Sequence, residues 1–83
     1  MGRQRRPRPK HLAKKLRQIR TQLGLTQEEM AKRLGNIPSP PDGAMISRYE
    51  RGEREPSLFG LLAYARVAGV YVDSLIDDKL KLP

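Results

Sequence analysis

Residues 26–55 read TQEEMAKRLGNIPSPPDGAMISRYERGERE, and this stretch decides the fold. It opens with Thr26 and Glu29 in the S/T-x-x-E arrangement of a capping box. The Thr26 hydroxyl is placed to accept from the Glu29 amide while the Glu29 carboxylate reaches back to the Thr26 amide. Met30, Ala31 and Leu34 follow on one helical face, and Gly35 offers a residue free to take positive φ and end the helix. A second helix is predicted with Asp42 as N-cap, Ile46 and Tyr49 on its inner face and Arg51-Gly52 at its end. Gly43, Ala44, Ser47, Arg48 and Arg51 then lie on or near its outer face. In the intervening NIPSPP, Ser39 followed by Pro40 and Pro41 is a rival N-cap with proline in the first turn.

Upstream, Leu12, Leu16, Ile19 and Leu23 recur at i, i+4, i+7 and i+11, which predicts a helix with Lys14, Lys15 and Arg17 off its apolar stripe. Gly24 suits the C′ position, and Leu25 can pack back under the helix end. Downstream, Ser57 caps a helix whose apolar face is read as Leu58, Leu61, Leu62, Ala65 and Ala68, closed by Gly69. A short last helix is expected around residues 72–77 with Leu75 and Ile76 inward. Leu80 and Leu82 are left to fold back on the core, extend as a strand or meet a second subunit. The expected organisation is a basic arm over residues 1–10, one all-α, five-helix domain over 11–78 and a tail over 79–83.

With 83 residues the chain has room for one small domain, and it contains no cysteine to staple it by disulfide or thiolate-bound metal. No apolar run approaches the ~18 residues of a membrane span. The basic start is not followed by the apolar core of a secretory signal. A reducing cytoplasm fits this composition.

Charge is distributed unevenly. Residues 1–25 hold nine Lys/Arg (Arg3, Arg5, Arg6, Arg8, Lys10, Lys14, Lys15, Arg17, Arg20) and no acid, whereas the remainder holds eight against nine Asp/Glu. The net +8 is therefore an N-terminal property, and it points to a polyanion as partner. Catalysis finds little support. His11 is the one histidine, no glycine-rich phosphate loop follows a strand, and the carboxylates lack metal-ligand spacing. Neither an enzyme activity nor a cofactor is expected.

A helix pair in which one helix holds the other out to solvent has the shape that enters a DNA major groove. Gly24-Leu25-Thr26-Gln27-x-Glu29, then Ile46-Ser47-x-x-Glu50-x-Gly52, then Pro56-Ser57-Leu58 carry a further signal. With these motifs in this order, about four-fifths of the chain resembles the phage Cro/repressor-like, or XRE-like, helix-turn-helix family. The resemblance implies a lambda-repressor-like domain that binds double-stranded operator DNA as a homodimer and regulates transcription, by default as a repressor near the nucleoid. It implies base contacts from Gln27, Gly43, Ala44, Ser47 and Arg48, and phosphate contacts from Thr26, Arg51, Arg54, Ser57 and Lys14 or Arg17. The arm residues Arg3, Arg5, Arg6, Arg8 and Lys10 would meet a minor groove or phosphates. It also implies an ion pair between Arg20 and Glu50 that ties the first and third helices together.

Two features depart from the family: Tyr71 stands where its members usually carry a Ser or Thr helix cap, and the turn before the second helix of the pair is longer. Gly35 and Ile46 stand eleven positions apart, about five more than the family's tight turn has, a lengthening whose backbone cost grows only slowly. Two other functions fit the same residues. One is a protein-interaction adaptor or antitoxin-like component. The other is a sequence-indifferent RNA binder, for which Phe59, Tyr49 and Tyr64 are read as internal, leaving only Tyr71 to stack on bases.

Overall fold

The computed structural model describes residues 8–83, so Arg3, Arg5 and Arg6 of the arm lie outside the described residues. Five helices follow one another: α1 (Leu12–Gln22), α2 (Gln27–Arg33), α3 (Gly43–Glu50), α4 (Leu58–Ala68) and α5 (Asp73–Ile76). Among the described residues there is no strand.

The helix starts follow local hydrogen-bond chemistry. Thr26 Oγ1 accepts from the Glu29 amide at 3.1 Å, and Glu29 Oε1 accepts from the Thr26 amide at 2.8 Å, completing the capping box of α2. Asp42 Oδ1 accepts from the Met45 amide at 2.9 Å, so Asp42 and not Ser39 caps α3. Ser57 Oγ does the same for α4 by accepting from the Gly60 amide at 3.0 Å.

The core is one cluster shared by all five helices. Leu12, Leu16 and Ile19 of α1 meet Met30 and Ala31 of α2, Leu34 just beyond it, Ile46 and Tyr49 of α3, Tyr64 and Ala65 of α4, and Leu75 of α5. Tyr49 and Tyr64 pack edge to face, with ring centroids 6.5 Å apart and planes at 67°. The Tyr64 hydroxyl is buried without a hydrogen-bond partner, and burial pushes its pKa above the ordinary tyrosine value.

Several expectations are corrected. Lys15 is buried, because it lies three residues after Leu12 and four before Ile19 and so falls on the apolar stripe itself. Its Nζ donates to the carbonyls of Ser74 at 2.8 Å and Asp77 at 2.9 Å, covering the carbonyl end of α5. Reciprocally, the Asp78 carboxylate accepts from the amides of Lys10 (2.9 Å) and His11 (3.0 Å) at the start of α1. Those two backbone bonds hold the Asp78 carboxyl below the usual carboxylate range. Leu82 packs on the core while Leu80 stays exposed, so the chain end returns along α1.

Leu58 is 84% exposed and Phe59 56% exposed. The buried line of α4 runs through Gly60, Tyr64 and Ala65. Leu58 stands two residues before Gly60, about 200° round the helix at ~100° per residue, and so faces away. Phe59 is therefore not internal. Ile76 is exposed beside buried Leu75, since adjacent residues of one helical turn point in different directions. Leu23 is exposed just past the end of α1, and Leu25 packs against the core after Gly24 turns the chain at φ +70°. Gly35 does not take positive φ; within the long turn that conformation falls instead on Ser39, at φ +50°.

Candidate nucleic-acid interface

α3 packs against α2 and α1 through Ile46 and Tyr49, which leaves its opposite side outward. Ala44 and Arg48 are exposed there, and Ser47 is half-buried between Arg48 and the flank of α1 and α2. Arg17, Arg20, Gln27, Ser47, Glu50 and Arg51 together line a shallow notch of about 160 Å³ beside this surface.

The floor of the notch is ionic. Arg20 Nε lies 2.7 Å from Glu50 Oε2 and Nη2 lies 2.9 Å from Oε1, with only 15% and 5% of the two side chains exposed. Arg20 Nη1 also donates to the Leu25 carbonyl at 2.9 Å. The hydrogen bond to Glu50 raises the Arg20 pKa further, so this guanidinium stays charged. α1, the α1–α2 turn and α3 are thereby fixed to one another. Gln27 Nε2 donates to Glu50 Oε1 at 3.4 Å, which brings the start of α2 to the same ion pair.

Gly43 stands differently from its neighbours on α3. A Cβ there would come within 2.8 Å of Glu28 Cγ and 3.4 Å of the Glu28 Cα, so Gly43 is the point of close approach between α3 and α2 rather than an open groove-facing position. Gly43→Ala should therefore lower the unfolding free energy by about 1–3 kcal/mol through overpacking. A denaturant midpoint equal to or above wild type would show that Glu28 yields without cost. Met45 also turns inward and packs against the core.

The cations sort into separate places. Arg17 joins Gln27, Ser47 and Arg51 at the notch, whereas Lys14 lies with His11, Lys15, Asp78 and Lys81 along the returning chain end. Arg48 and Arg54 are exposed. Arg8 Nε sits 3.9 Å from Glu55 Oε2, and Arg8, Lys10, Tyr49, Gly52 and Arg54 border one pocket. Residues 8–10 thus lie beside the C-terminal end of α3. The Thr26 hydroxyl and amide are both engaged in the capping box, with the Glu29 carboxylate already where an anion would sit. The Ser57 oxygen likewise accepts the Gly60 amide.

A contact absent from the sequence reading joins the surface. Arg51 reaches back to Ser47 and forward to Glu53. The i, i+4 spacing of Ser47 and Arg51 was its one available signal.

A helix-turn-helix family model matches residues 16–75, which is more than half of the chain and spans the motif and its supporting helices. The chain belongs to the helix-turn-helix family. Among solved structures it is similar to the P22 c2 repressor, crystallised with synthetic operator 9T in the presence of Tl+. That likeness has 27% sequence identity and a TM-score of 0.70, and covers 81% of this chain and 94% of the other. No curated protein matches. The longer connection occupies residues 36–41, where the chain bulges between α2 and α3 without separating them, and α5 follows its N-cap Val72 with no side-chain cap hydrogen bond.

Proposed function

We propose that this chain is a sequence-specific DNA-binding transcriptional regulator, a repressor by default, that inserts α3 into the major groove of double-stranded operator DNA. The observation that carries this reading is an outward face of α3 free of its own chain, with Ala44 and Arg48 exposed and four further polar or cationic side chains grouped beside them. The likeness to a repressor crystallised with its operator supports it.

Arg48 is the strongest base reader: its guanidinium suits the O6 and N7 acceptors of guanine, while Ala44 suits a thymine methyl. Gln27 and Ser47 adjoin the same groove. Arg17 and Arg54 are assigned to phosphates, and the basic arm to flanking backbone or minor groove. Lys14 contributes less by its location, and Thr26 because the Glu29 carboxylate lies against its amide, whereas the Ser57 hydroxyl accepts the Gly60 amide through its oxygen and keeps its O–H for a phosphate. Two copies on a palindromic site would place their α3 helices about one DNA turn apart, roughly 34–36 Å. No described helix is long and apolar enough to cross a membrane, and a nucleoid-bound cytoplasmic protein fits a DNA ligand.

Arg48→Ala should lose about 1–3 kcal/mol on the preferred duplex and little on random duplex, read by titration at fixed salt. An equal loss on both would move Arg48 to the phosphate backbone.

A further inference from the structure

The resemblance places Arg51 on the DNA backbone, yet its guanidinium is already held in a particular way. Nε donates to Glu53 Oε2 at 2.8 Å and Nη2 to Glu53 Oε1 at 3.2 Å, a two-bond fork along one side of the guanidinium plane. Nη1 donates to Ser47 Oγ at 2.6 Å. Of the five N–H groups of an arginine, these three are occupied. What remains is one N–H on each terminal nitrogen, the two nitrogens that bound the outer edge of the plane.

That edge carries the paired donors that match guanine O6 and N7. The bond to Ser47 also draws the guanidinium back by one helical turn, about 5.4 Å, onto the stripe shared with Arg48. Beside it the Glu53 carboxylate, kept ionised by Arg51, would repel a phosphate and cancels much of the charge a phosphate contact uses. Both side chains of the pair are more than half exposed, at 55% and 53%, so the pair adds little to stability. Orientation is the consequence that remains.

We propose that Arg51 reads a guanine of the operator through its terminal edge, and that Ser47 and Glu53 are the positioning residues that hold it for that purpose. This rests on the DNA-binding reading above.

The test uses the full chain, a duplex selected from a random pool, its single-base-pair variants and an unrelated duplex, each titrated at several salt concentrations. Arg51→Lys keeps the charge and loses the edge. It should bind the selected duplex roughly 10- to 100-fold more weakly and lose the preference at one G·C pair per half-site. Its affinity and salt slope on unrelated DNA should match wild type. Glu53→Gln keeps the charge of Arg51 and removes its clamp. It should weaken the preference at that same pair, raise affinity for unrelated DNA, and steepen the slope of log K against log salt by up to about 0.9.

The opposite pattern overturns the proposal. In it, Arg51→Lys resembles wild type at every base pair, and Arg51→Ala weakens all duplexes alike with a slope reduced by about 0.9. A Glu53→Gln protein with wild-type preference and slope would remove Glu53 from the role. If the wild-type chain selects no sequence from the pool, the DNA-binding reading itself fails and this proposal falls with it, a result seen before any variant is compared.

Discussion

Glu50→Ala should lower the unfolding free energy by about 3–5 kcal/mol, the usual cost of removing one partner from a buried ion pair. The large figure follows from what is left behind. Arg20 is largely buried and donates two bonds to Glu50 and one to the Leu25 carbonyl. Without Glu50 the guanidinium keeps its charge, since arginine does not deprotonate in proteins, and it must draw in water or move. The pair also joins α1 to α3 across thirty positions of sequence, so its loss loosens the seat of α3 and not only the local packing. A domain of this size has about 5–15 kcal/mol in hand, so the variant should melt far earlier or fail to fold. Glu50→Gln, which keeps the shape and loses the charge, should fall between the two. A denaturant midpoint for Glu50→Ala equal to wild type would mean that the pair is fully solvated.

Lys15→Met is the second large effect expected, at about 2–3 kcal/mol of destabilisation, from the loss of charge-assisted hydrogen bonds by a buried ammonium. Methionine matches the lysine stem in length and is more apolar. If Lys15 were only one more charge of the basic N-terminal region, the change would be neutral or favourable. The structure gives the opposite sign, because Nζ donates to the carbonyls of Ser74 and Asp77 at the end of α5. With those carbonyls released, residues 73–77 should lose their seat first, even though Asp78 stays tied to the start of α1. Hydrogen exchange would register this as early loss of protection at the amides of Leu75 and Ile76, which bond to the Val72 carbonyl. Unchanged protection there, with an unchanged midpoint, would remove Lys15 from any structural role.

These two cases mark what can and cannot be read along the chain. The caps at Thr26, Asp42 and Ser57 were legible because each is chemistry among residues three apart. The stripes of α2 and α3 were legible from their period, and that of α1 through Leu12, Leu16 and Ile19, though Lys15 belongs to it and Leu23 does not. The clasp of Lys15 with the α5 carbonyls and of Asp78 with the α1 amides was not, since its partners are 59 to 68 positions apart and use backbone atoms that carry no sequence signature. On α4 the abundance of apolar residues hid the buried line, and Leu58 was placed on the wrong side of it. At the site, the outward position of Ala44 and Arg48 followed from helical period alone. Gly43 did not, because its setting depends on how near α2 approaches. The Arg51–Glu53 clamp crosses a helix end, where periodic reasoning stops.

The residues between α2 and α3 bear on function in a simple way. Asp42 restarts the helix with its own cap, and Gly43 brings the new start against Glu28, so the longer connection leaves the α2–α3 packing intact. The extra chain forms one wall of a groove with Met45, Tyr49 and Phe59, to one side of the outward face of α3. Nothing in it covers Ala44 or Arg48, which stay exposed.

The most direct measurement is selection from a pool of random duplexes by the full chain at physiological salt, read by sequencing. The expected result is enrichment of one two-fold symmetric sequence with half-sites about one turn apart, roughly 34–36 Å, an enrichment that Arg48→Ala abolishes at a defined base pair. Retention of all duplexes alike, or the same sequence enriched by Arg48→Ala as by wild type, would contradict the claim that the outward face of α3 reads DNA.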